Sequence, residues 1–181
     1  MNAAAEPERL AAMNSVAAGS FVLEPQTVAH ASEMFVVLSD PAIYEFENSP
    51  PASVAWLTER FARLESRVSP DGAEQWLNWV IRLPTGPLAG YVQATIKRDR
   101  TAHVAYELAS KFWRQGIGGA AVSGMLEELE TTYRVCEFVA TLNDRNYRSL
   151  GLLQSLGFEN KGSNDSGEIV MCRKVNVVPA V

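Results

Sequence analysis

The chain has 181 residues, 47% of them hydrophobic, which is enough for one domain with a substantial core. A formal net charge of −5 argues against a dedicated nucleic-acid binder, which is normally basic, and leaves room only for a local basic patch. There is no apolar run of about 18 residues, no CxxC and no Cys/His cluster, so neither a membrane span nor a metal site is expected.

Residues 1–20 are Ala-rich and carry Glu6, Glu8 and Arg9, and Asn14 and Ser15 break their apolar stretch. They lack the basic start and continuous apolar segment of a signal peptide, so they read as a flexible arm on a cytoplasmic protein. Residues 21–181 read as a single domain.

A short strand is expected over 21–24, then a helix over 28–38 capped by Thr27. Pro41, Pro50 and Pro51 break the pattern, and Ser53 is placed to cap a second helix over 53–68. Its Trp56, Leu57, Phe61 and Leu64 recur at helical spacing and read as core. Strands follow over 75–83, 88–98 and 102–109, the first two as a hairpin. A helix over about 118–132, a strand over 134–142, a short helix over 146–156 and a last strand over 168–175 complete the chain. Cys136 and Cys172 fall in the apolar strand-like runs and are expected as buried, reduced thiols. Consecutive strands favour antiparallel pairing, and the later strand–helix–strand unit favours one parallel pair. The expected class is α+β, a mixed sheet covered by helices.

The stretch "FWRQGIGGAAV", residues 112–122, places Gly116, Gly118 and Gly119 where a helix begins. A helix N-terminus offers unpaired N–H groups and partial positive charge, and glycine lets a ligand approach the backbone. Together these make a phosphate cradle, to which Lys111 and Arg114 add charge. The Walker and dinucleotide-binding spacings are both absent. The same glycines also suit a turn that packs tightly.

"YELASKFWRQGIGGAAV" resembles the acetyl-CoA signature of the GNAT N-acetyltransferases, R/Q-x-x-G-x-G/A, at Trp113, Gly116 and Gly118. Trp113 departs from Arg/Gln but agrees with the W-G-x-G-x-A/G pattern of the RimJ/RimL-like subgroup. "NYRSLGLLQSLGF" is similar to the family's N-x-x-A/S…G-F segment at Asn146, Ser149, Gly157 and Phe158. The resemblance spans residues 21–175.

It implies a mostly antiparallel mixed sheet whose central strands splay, with the pantetheine arm of acetyl-CoA in the gap. The backbone of Leu108 would hold the arm, and Asn143 and Asn146 would reach it from the far side. Arg114, Gln115, Gly116, Ile117, Gly118 and Gly119 would bind the pyrophosphate. The implied activity is direct acetyl transfer to a primary amine in a ternary complex, the acceptor being a protein N-terminus or a small amine. No covalent enzyme intermediate is required, so neither Cys is assigned as a nucleophile. His103 stands where the subgroup has Glu, and Glu107 lies on the same face of a regular strand; either, or a water chain, would be the base. The tyrosine expected seven residues after Asn146 is Leu153 here. Ser149 is therefore the candidate acid, with Tyr147 as an outside one. The first two helices, their link and the hairpin would build the acceptor groove. Trp76, Trp79 and Tyr44 are candidates for its lining, with core packing expected of at least one Trp. The alternatives are a non-catalytic acyl-CoA-binding sensor or partner-binding module, and transfer of another acyl group. Homodimerisation through edge strands is a further implication of the resemblance.

Overall fold

Apolar residues on both sides of the central strands set the architecture. The computed structural model describes residues 13–46 and 48–175. The elements in chain order are β1 (Val16–Ala18), β2 (Phe21–Pro25), α1 (Ala31–Val37), α2 (Val54–Leu64), β3 (Gln75–Arg82), β4 (Leu88–Ile96), β5 (Thr101–Leu108), α3 (Ile117–Thr131), β6 (Glu137–Leu142), α4 (Tyr147–Ser155), β7 (Glu159–Ser163) and β8 (Ile169–Lys174). They form an eight-stranded sheet in the order β1-β2-β3-β4-β5-β6-β8-β7. The β5–β6 pair is parallel and the other neighbours are antiparallel.

In β3, Leu77, Trp79 and Ile81 join the core under α3, while Val80 joins the one under α1 and α2. A strand covered on both faces loses the simple in–out alternation, which is why β3 reads as an apolar run. The Trp79 indole is fully buried and donates to the Asn14 carbonyl at 2.9 Å. α3 approaches β1 closely, since a Cβ on Gly124 would stand 3.2 Å from the Ala18 Cβ. Arg82 joins Glu24 of β2 to Glu33 of α1 at 3.2 and 2.9 Å, and Glu33 also accepts from Leu88 N–H at 2.7 Å. These bonds seat α1 on the hairpin.

Several local expectations change. The first helix opens as a 3-10 turn over Val28–His30 before α1. α2 is capped by Ser53, whose Oγ accepts from Trp56 N–H at 3.1 Å. It ends at Leu64 rather than 68, and Arg67 beyond it has φ of 60°. β1 falls within the stretch read as a flexible arm, of which residues 1–12 lie outside the described residues. The strand β7 has no counterpart in the sequence reading; its five residues are all exposed and polar or glycine. Cys136 is exposed and Cys172 half-buried, so the expectation of two buried thiols does not hold. Burial pushes the Cys172 thiol up.

Two features position the site. β5 and β6 pair only at Thr101↔Glu137, Ala102↔Phe138 and His103↔Val139, then diverge. Beyond that point β5 stays bonded to β4 as far as Leu108, and β6 stays bonded to β8 as far as Leu142. Gly90 permits the first of these attachments, because a Cβ there would lie 2.0 Å from the Glu107 carbonyl oxygen.

Candidate active site

The divergence of β5 and β6 opens a groove of about 850 Å³. Gly116, Gly118 and Gly119 line it at the start of α3, residues 104–108 and 140–142 line the gap, and Tyr44, Trp56, Arg60 and Tyr91 line it beyond. Trp56, expected in the core, is 44% exposed and faces this groove, while Leu57 and Phe61 are buried. Of the three aromatic lining candidates, Tyr44 lines the groove and Trp79 is core.

The glycine turn is anchored to the ends of β4 and β5. Ala109 N–H donates to Ala89 O at 2.9 Å, and the Trp113 indole donates to Leu108 O at 2.7 Å. Arg114 has φ of 58°, a left-handed conformation at the position where the W-G-x-G pattern has glycine. Gly116, at φ of 77°, precedes the first residue of α3. The first bond of the helix is Ala120 N–H to Gly116 O at 3.1 Å, so the N–H groups of Ile117, Gly118 and Gly119 stand ahead of the ladder. A Cβ on Gly118 would meet the Leu152 Cδ1 at 3.3 Å, whereas one on Gly119 would meet nothing within 4 Å. Packing therefore accounts for Gly118 and leaves Gly119 unexplained by the protein itself. The Gln115 side chain folds back to donate to Lys111 O at 2.8 Å.

Glu107 and Tyr91, cross-strand partners on β5 and β4, both line the groove. Among the described residues lining the groove Glu107 is the only carboxylate, and Arg60, Arg114 and Arg148 line it as well. Burial and the Glu107 charge push the Tyr91 and Tyr44 hydroxyls far up, so both stay protonated. The β4–β5 register is continuous from Gly90↔Leu108 to Ile96↔Ala102, so no bulge separates His103 from Glu107 and they share a face. They lie four residues apart, about 13 Å along the strand. His103 is exposed and is not among the groove-lining residues. The partial burial of its ring against the sheet, then the charge of Lys97, holds its pKa below the ordinary histidine value.

On the opposite wall, Asn146 caps α4, its Oδ1 accepting from Ser149 N–H at 3.1 Å, and both residues line the groove. Asn143 instead accepts from Arg145 N–H at 3.0 Å and shapes the turn before α4. Leu153, in the place of the family tyrosine, is buried. Tyr106, given no role of its own from sequence, reaches across the gap and donates to Ser149 O at 3.3 Å. Burial pushes its hydroxyl up to about 12. Tyr147 is exposed and does not line the groove. Arg148 lies 4.2 Å from the Trp113 ring centroid and 5.5 Å from that of Phe46, and pairs with Glu45 at 2.8 Å. The turn after α1 is tied down a second time by Asp40, which accepts from Ser110 N–H at 2.7 Å.

The acetyltransferase (GNAT) domain family matches residues 20–159, well over half of the chain. The chain belongs to the GNAT acetyltransferase family. Solved structures with this fold include the ribosomal-protein-S5-alanine acetyltransferase from Vibrio fischeri, at a TM-score of 0.77 and 17% identity, covering 90% of this chain and 97% of that one. Mycobacterium smegmatis RimJ in complex with CoA-disulfide gives 0.76 and 19%, covering 92% and 90%. An aminoglycoside acetyltransferase in complex with coenzyme A gives 0.71 and 18%, covering 84% and 93%. No curated protein sequence matches the chain. Among the described residues of this GNAT domain there is no group of three or more His, Cys, Asp or Glu suited to a metal, and no helix long and apolar enough to cross a membrane.

Proposed function

We propose that this GNAT enzyme transfers an acetyl group from acetyl-CoA to a primary amine held beside Glu107, the acceptor being a protein N-terminus or a small amine. One observation carries the reading: a single groove joins the glycine turn, the gap between β5 and β6, and the Glu107 carboxylate.

The residues fit acetyl-CoA. The N–H groups of Ile117, Gly118 and Gly119, with Arg114, would hold its pyrophosphate, and the room at Gly119 is what such a contact needs. The unpaired edges of β5 and β6 would hold the pantetheine arm, with Asn146 on the far side. The Leu108 carbonyl keeps one lone pair beside the Trp113 indole. Bound there, acetyl-CoA supplies the acetyl group as an activated thioester.

The chain's own work is to place the amine and move protons. Glu107 draws the ammonium by charge and accepts its proton, and the Tyr91 hydroxyl orients the carboxylate. Ser149 Oγ holds the proton for the departing sulfur. The Tyr106 hydroxyl, protonated at neutral pH, braces α4 at Ser149. His103 acts outside this proton path.

The test begins with the thermal midpoint. Acetyl-CoA at 100 times its Kd is expected to add about 2.7 kcal/mol of stability, with CoA as the comparison. An amine panel follows, in which Glu107→Gln keeps the midpoint rise and loses turnover. A rise with no turnover on any amine would make the chain a sensor. No rise would sink the cofactor assignment at the glycine turn.

A further inference from the structure

The groove continues past Glu107. Asn78 of β3 and Gln93 of β4 are cross-strand partners, and Gln26, just after β2, donates its N–H to Asn78 O at 2.9 Å. All three residues line the groove. Gln26 is 3% exposed and Asn78 4%. The Gln26 Nε2 has no partner among the described residues, while its backbone carbonyl accepts from Arg67. A buried amide so placed needs a partner from water or from a ligand.

A second cavity of about 750 Å³ shares Arg60, Leu64, Asn78 and Gln93 with the first. The two cavities adjoin along these residues, the second lying beneath the end of α2 toward Trp76 and Thr95. Measured along β4 from Tyr91 to Thr95, they extend about 13 Å beyond the Glu107 end. No carboxylate of the described residues lines this second cavity, and Arg60 and Arg63 do. Arg60 stands at the junction, 5.8 Å from the Trp56 ring centroid.

We infer that Gln26, Asn78 and Gln93 form a subsite for the body of the acceptor, and that the body is an extended, uncharged or acidic chain rich in amide or hydroxyl groups. The inference rests on the acetyl-transfer reading, which puts the reacting amine at Glu107. The buried amides hydrogen-bond the chain beyond that amine and fix its direction. Among the described lining residues there are one carboxylate at the head of the path and two guanidinium groups along it, with Glu74 and Asp71 engaged by Trp76 and Ser69 at its far end, so a second cation near Arg60 and Arg63 meets repulsion. The subsite thus selects a monoamine bearing neutral polar groups and rejects polyamines.

The experiment compares a neutral tetrapeptide amide, the same peptide with lysine at its second and third positions, a monoamino sugar, butylamine and spermine, all with acetyl-CoA. The neutral peptide or the monoamino sugar is expected to exceed butylamine at least tenfold in kcat/KM, with the lysine peptide and spermine below both. Which of the two leads tells an amide-bearing chain from a hydroxyl-bearing one. Gln26→Met, close in volume but without the amide, is expected to lower the peptide-to-butylamine ratio about three- to tenfold, mainly through KM. Gln93→Leu is the second variant should the buried substitution fail to fold. Arg60→Glu is expected to raise the lysine peptide relative to the neutral one. Equal losses on peptide and butylamine, no loss at all, or spermine as the best acceptor would overturn the subsite. If no amine turns over, calorimetric binding of the tetrapeptide amide to wild type and Gln26→Met reads the subsite by itself. Failure of the acetyl-transfer reading shows instead as a missing acetyl-CoA midpoint rise.

Discussion

At the α3 end of the groove the proposed binding groups are the main-chain N–H groups of the consecutive residues Ile117, Gly118 and Gly119, fixed by a turn and the start of a helix. At the opposite end they are side chains from β2's exit, α2, β3, β4 and β5, which only the sheet brings together. The first end is a local device that tolerates change elsewhere in the chain. The second depends on register, since a one-residue slip of β4 would turn Tyr91 and Gln93 away from Asn78 and Glu107. A cofactor shared across a family suits the first kind of site, and an acceptor that varies suits the second.

The sharpest separation of the two ends is Glu107→Gln. It is expected to cut kcat by about 10²–10⁴ while leaving the acetyl-CoA midpoint rise intact, read by steady-state rates and thermal unfolding. Next in size is Gly90→Ala, which damages both ends at once by pressing a Cβ into the Glu107 carbonyl. Denaturant unfolding is expected to show a loss of about 3 kcal/mol or more, as for overpacked interiors. Gly119→Ala acts on the α3 end alone. Its Cβ meets nothing in the protein, so stability should hold or rise by up to about 1 kcal/mol. Acetyl-CoA affinity should fall about tenfold, or 1.4 kcal/mol, in a calorimetric titration. An unchanged affinity would make the glycine a helix-starting feature with no ligand behind it.

Smaller effects concern the turn that spans the two ends. Arg148→Ala removes the stack on Trp113 and Phe46 and the exposed pair with Glu45. It should cost about 0.5–1 kcal/mol and speed amide exchange across residues 41–46. The Ser110 hydrogen bonds hold the Asp40 carboxyl below its ordinary value. Because the folded pKa is depressed, this stabilisation is complete above the ordinary aspartate range and fades as pH falls through the folded value. A small loss of midpoint on acidification, absent in Asp40→Asn, checks the sign.

The α3 end was legible in the sequence because glycine spacing, a basic neighbour and a helix start lie within eleven residues. The α+β class and most elements followed from periodicity. β1 and β7 were not legible: one has three residues, and the other is fully exposed at the sheet edge, so neither carries an apolar alternation. Trp56 fell on the helical stripe of Leu57 and Phe61 yet lies at its margin, where burial depends on what covers α2. His103 and Glu107 share a face, as their spacing requires, and parity says nothing about where a groove ends. The amide set of Gln26, Asn78 and Gln93 left no sequence signal, because its members are 52 and 15 positions apart on separate strands or loops.

By itself the sequence determined the glycine turn, the cap at Ser53, and the alternation that makes the strands, since each depends on neighbours within a few residues. The tertiary structure decided where β5 parts from β6, that Glu107 rather than His103 faces the groove, and which polar groups are buried without partners. Those outcomes come from packing and register between elements remote in the chain, and local chemistry does not encode them one residue at a time.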